Sequence, residues 1–80
     1  MSLQLQPVRL ASGSDDTEAQ LVFVDGGLTA VLVRLSDVHG EAAGMWFLEA
    51  GFGSISVRAP PTFVNLDEAQ DWIAGRLAEV

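Results

Sequence analysis

Residues 19–36, AQLVFVDGGLTAVLVRLS, read as a β-hairpin whose strands are apolar on both faces. Such a hairpin needs cover on two sides, yet the one strong helix pattern in the chain stands at its C-terminal end. One helix covers one face of a sheet. The other face needs a different cover, and that face is where function is sought.

The two strands span residues 20–24 and 28–35, and their Val, Leu, Phe and Thr content suits a pleated surface. Asp25, Gly26 and Gly27 between them supply the positive φ angles of a tight hairpin turn. Residues 3–10 read as a short edge strand interrupted or begun by Pro7, residues 11–18 as a polar loop, and residues 37–43 as a second loop. A third core strand is expected over 44–50 and a turn over 51–53. Residues 54–59 alternate strictly and read as a half-buried strand that Pro60-Pro61 ends.

The helix is well punctuated. Asn65 at the N-cap with Glu68 three residues on forms a capping box, and Asp67, Glu68 and Asp71 place negative charge where the helix dipole favours it. Leu66, Ala69, Trp72, Ile73, Leu77 and Val80 form its apolar stripe. The fold expected is a single α+β domain over residues 1–80: an antiparallel meander of four to five strands with one C-terminal helix packed on one face.

Side chains alternate across a strand, so a two-residue loop at Asp25-Gly26 or Gly26-Gly27 groups Val22, Val24, Val31, Val33 and Leu35 on one side. The other side then carries Leu21, Phe23, Leu28, Ala30, Leu32 and Arg34. Ile55 and Val57 face inward, Trp46 and Leu48 point at the helix, and Met45, Phe47, Glu49 and Arg58 join the open side. The expected interface is therefore Leu21, Phe23, Leu28, Leu32, Arg34, Met45, Phe47, Glu49 and Arg58, an apolar centre edged by charge.

Eleven carboxylates against four arginines give a net charge of -7, so the mean field repels phosphates and anionic headgroups, and neither nucleic acid nor a membrane is expected as partner. Trp46, Phe47 and Phe52 lack the cationic groove of a base-stacking platform. Cysteine is absent, which excludes disulfides and thiolate chemistry. The start MSLQLQPVRL lacks the pattern of a signal peptide, and the lysine-free, Ala/Val/Gly-rich composition fits a GC-rich bacterial genome; the expected compartment is the cytoplasm.

His39 is the single histidine. Asp37, His39 and Glu41 alternate, but no second histidine completes a zinc site, and Asp15, Asp16 and Glu18 lack the spacing of a calcium loop. Gly51-Phe52-Gly53-Ser54 is neither a dinucleotide fingerprint nor a nucleophile elbow. Ser36 or Ser54 with His39 and Asp37 would make a Ser/His/Asp set that nothing in the sequence positions. No catalytic residue, metal or cofactor is expected. Residues 63–77, with the helix sequence NLDEAQDWIAGRL, are similar to HicB-type antitoxins, whose sheet is followed by a helix opening on a comparable acidic, alanine-containing turn. Ala59-Pro60-Pro61-Thr62 stands where that family has a glycine- and threonine-containing segment, and no site residue carries over.

An 80-residue chain buries only about 60–65% of its unfolded surface, so association is an expected source of stability. The leading expectation is a noncatalytic homodimeric interaction module using the open sheet face, with another protein as a further candidate partner. The alternative is a small ligand-binding or enzymatic domain with its site near the loops at 37–43 and 51–53.

Overall fold

The computed structural model describes residues 2–11 and 15–78. Strands β1 (Leu3–Arg9), β2 (Glu18–Val24), β3 (Gly27–Arg34), β4 (Trp46–Gly51) and β5 (Thr62–Phe63) form one antiparallel sheet in the order β1-β2-β3-β4-β5, followed by helix α1 (Leu66–Ala78). The α+β meander with one terminal helix is the architecture the sequence predicts. Short 3-10 turns occupy Asp37–Ala42 and Gly53–Ile55.

The hairpin turn is closed by two residues, Asp25 (φ 50°) and Gly26 (φ 87°), with Val24 paired to Gly27. Positive φ at both central positions gives a turn whose twist matches that of the strands. Asp25 also fixes the start of β1. Its Oδ1 accepts from the Ser2 amide at 2.8 Å, and its own amide donates to the Ser2 carbonyl at 2.9 Å.

Two bulges set the facing. Phe23 pairs with Leu28 but Val22 pairs with Ala30, which leaves Thr29 as an extra residue. On the other edge of β3, Val31 pairs with Ala50 and Leu32 with Leu48, which leaves Glu49 extra in β4. The first bulge exchanges the faces of β3 beyond it. Val22 therefore shares a face with Ala30 and Leu32, while Val31 and Val33 join Leu21 and Phe23, the reverse of the facing that loop length alone predicts.

Val22, Ala30, Leu32, Trp46, Leu48, Ile55, Phe63, Ala69 and Ile73 form the core between sheet and helix, with Leu3, Leu5, Val57, Leu66, Trp72 and Leu77 packed around it. Trp46 and Leu48 point at the helix as expected. Phe63 and Trp72 meet with ring centroids 5.6 Å apart, and the Arg76 guanidinium lies 5.2 Å from the Trp72 ring while its Nε donates to the Ser54 carbonyl at 2.9 Å.

Residues 54–59 are not a strand. The chain folds back immediately after β4, so close that a Cβ on Gly51 would sit 2.4 Å from the Ile55 carbonyl oxygen. This tight return places Ile55 in the core, fully buried, and leaves the fifth strand to Thr62–Phe63 beyond the prolines. Gly51→Ala is expected to cost about 1–3 kcal/mol, because backbone rather than a movable side chain must give way; urea denaturation reads the loss, and an unchanged midpoint would show that the return is loose.

The helix begins as predicted. Asn65 Oδ1 accepts from the Glu68 amide at 2.8 Å, and Glu68 Oε2 accepts from the Val64 amide at 3.0 Å, one residue earlier than in a regular capping box. Asn65→Ala is expected to destabilise by about 0.5–2 kcal/mol in the same measurement.

Candidate functional site

The sheet face opposite the helix is built from three cross-strand rows. Gln4, Phe23 and Leu28 form the first, Gln6, Leu21, Val31 and Ala50 the second, and Val8, Ala19, Val33, Phe47 and Thr62 the third. Apart from Ala19 and Val33, none of these residues belongs to a buried core, and Leu28 is 42% exposed. The backbone stays extended at Phe52, whose amide donates to the Thr29 carbonyl at 2.9 Å. Alternation from Ala50 carries this half-exposed ring onto the same face.

No paired position on this face is ionisable. The chain has fifteen charged side chains, four arginines and eleven carboxylates, so twelve uncharged paired positions on one face are a marked segregation. The face is an apolar centre on β2, β3 and β4, flanked by glutamines on β1 and a threonine on β5.

Of the residues expected here, Leu21, Phe23, Leu28 and Phe47 lie on the face. Leu32 does not: it is fully buried beneath the helix, because the Thr29 bulge turns it inward. Arg34 pairs with Trp46 on the helix-facing side, Glu49 is the extra residue of the β4 bulge, Met45 precedes β4, and Arg58 lies in a bend outside the sheet. The expected charged edge of Arg34, Glu49 and Arg58 is thus not assembled on one strand surface. Val8, Ala19, Val31, Val33, Ala50 and Phe52 are the apolar members that sequence reasoning missed, and Gln4, Gln6 and Thr62 the polar ones. The valines of β3 were hidden by the bulge, for which Leu28-Thr29-Ala30 offers no distinctive signal.

A polar cluster stands at one end of the sheet. Asp16 Oδ1 accepts from the Ser36 amide at 2.8 Å, and its Oδ2 lies 2.7 Å from His39 Nε2. The carboxylate thereby ties the β1–β2 loop to the 3-10 turn Asp37–Ala42, which buries no residue of its own. The Ser36 amide, then the His39 side chain and the Ser36 hydroxyl, hold the Asp16 pKa below its ordinary value of 3.8. The arrangement inverts a catalytic triad, for a carboxylate sits at its centre and the serine contributes its amide; no base is aligned on a hydroxyl.

The loops at 37–43 and 51–53 lie at opposite ends of β4. Among the described residues no three His, Asp or Glu side chains converge as a metal site. A shallow depression beside Pro7, Val8, Arg9 and Glu18 lies on the edge strand and gathers no catalytic set. No family model matches the chain, and no curated protein or solved structure shows significant similarity to it.

A carboxyl whose pKa is depressed by folding stabilises the fold above its unfolded pKa, and that contribution disappears as pH falls through the lower folded value. Asp16→Asn is therefore expected to lower the thermal midpoint at neutral pH, with the gap to the parent closing as pH falls from about 4 toward 2. A constant gap across this range would show that the ionised carboxylate contributes nothing.

Proposed function

We propose that the protein is a noncatalytic interaction module that associates with itself through the open sheet face. The observation that carries this reading is the charge-free apolar surface of Leu21, Phe23, Leu28, Val31 and Phe47 on a chain of net charge -7. Contiguous apolar surface on one side of a small domain is a hallmark of association, and the same burial supplements a core limited by chain length. A surface without cations gives nucleic acid and anionic lipid nothing to hold.

Light scattering tests this. The parent is expected to run as a dimer, and Phe47→Glu or Leu21→Glu as a folded monomer, because an unpaired carboxylate is costly in a dry interface and harmless on a wet face. Leu32→Glu, which places the same charge in the helix–sheet core, is expected to unfold the chain. A parent that remains monomeric at high concentration overturns the proposal.

A further inference from the structure

We propose that Pro7 guards the free edge of the sheet by keeping β1 from accepting a further strand. The inference is independent of what meets the open face. β1 is a terminal strand of the sheet, so one side of its backbone has no ladder partner within the sheet. Its seven residues exceed a typical strand of about five or six, and an edge of that length, left unguarded, templates sheet growth.

Two hydrogen bonds fix which groups face that edge. The Leu10 amide donates to the Thr17 carbonyl at 2.7 Å, and the Asp25 amide to the Ser2 carbonyl at 2.9 Å. They flank a register that runs without a shift from Leu3–Val24 to Arg9–Glu18. Antiparallel ladders alternate bonded and non-bonded pairs, so Gln4, Gln6 and Val8 direct their amides and carbonyls to β2, while Leu3, Leu5, Pro7 and Arg9 turn their backbone groups outward. A proline in place of Gln6 or Val8 would remove a bond to Leu21 or Ala19. At position 7 the missing donor removes none.

Pro7 is exposed and stands inside the outward row. A strand that pairs with Leu5 meets, one step on, a ring where it needs an amide hydrogen, and it cannot continue to Arg9. The row is thereby cut into Leu3 with Leu5 on one side and Arg9 alone on the other. The opposite edge needs no such guard, because β5 has two residues and leads at once into the helix cap.

Pro7→Val and Pro7→Thr supply the absent donor on residues suited to a strand. Each is made in the parent and in Phe47→Glu, so that association through the open face and through the edge are read separately. Light scattering is expected to show both variants reaching about twice the mass of their Pro7 counterparts, or more, as concentration rises. Amide hydrogen exchange read by NMR locates the contact. With Pro7 in place, Gln4, Gln6 and Val8 are expected to exchange slowly and Leu5 and Arg9 fast; in the associated variants Leu5 and Arg9 slow by about tenfold or more.

Folded variants that keep the mass of their Pro7 counterparts overturn the proposal, and so does association that leaves Leu5 and Arg9 fast. Slow exchange at Leu5 and Arg9 with Pro7 in place overturns it too, because the edge is then already paired. Circular dichroism confirms the fold, and two substitutions at one exposed site keep the test decisive if either disturbs it. A parent that is monomeric counts against the function proposed above and leaves this comparison intact.

Discussion

Thr29 is one residue more than the ladder between β2 and β3 can pair, and the side-chain period of two converts that insertion into an exchange of faces. Leu32 goes under the helix because of it, and Val31 and Val33 come to the open side. The extra residue is itself held: the Thr29 carbonyl accepts from Phe52, and its hydroxyl donates to the Gly27 carbonyl at 3.1 Å. The bulge is thus tied both to the hairpin turn and to the end of β4. From this follow the composition of the core, the identity of the exposed surface, and the location of the neutral face.

Cover on the helix side is itself a joint effort. A 13-residue helix is about 20 Å long and about 10 Å across, while five strands span about 19 Å, so one helix leaves part of even its own sheet face unshielded. The chain closes the gap with Ile55, brought in by the close return past Gly51, and with Phe63 and Trp72 at the far strand. On the opposite face only Ala19 and Val33, 0% and 4% exposed, are buried among the described residues of the three rows. Toward β1 the covered side becomes mixed: Gln20, between Pro7 and Leu32, buries its carbonyl oxygen without a hydrogen-bond partner, a cost of about 1–3 kcal/mol.

The features legible in the sequence were those fixed by neighbours in the chain. Asp25-Gly26 demands a tight turn wherever it stands, and Asn65 and Glu68 are three residues apart and satisfy amides within the same turn of helix. Trp46 and Leu48 do face the helix, but the premise behind that expectation, Arg34 on the open side, is reversed, since Arg34 pairs with Trp46. What escaped depends on distant partners. The strict alternation of residues 54–59 describes a strand, but the proximity of Ile55 to Gly51 wins over that pattern. Asp16 stands in a stretch that reads as a polar loop, and only the fold brings it to Ser36 and His39, 20 and 23 residues away. The open face was foreseen in kind and partly in membership; its missing valines are the cost of a bulge without a local signature.

The distribution of polar chemistry bears on function as much as the apolar surface does. Asp16 and His39 hold two loops together, Asn65 and Glu68 close the helix start, Arg76 joins the helix to Ser54 and Trp72, and Asp25 anchors Ser2. Each pair satisfies its partner at a separate place, and catalysis requires several such groups to converge on one point where a substrate can sit. The sheet face has the opposite character: adjacent rows of side chains converge, and none of them is charged. Removing apolar area from water is worth about 25 cal/mol per Å², a non-directional gain that grows with contiguous area. Among the described residues the polar groups are dispersed as ties while the uncovered apolar residues gather on one surface, which is what supports the association proposed above, where area counts.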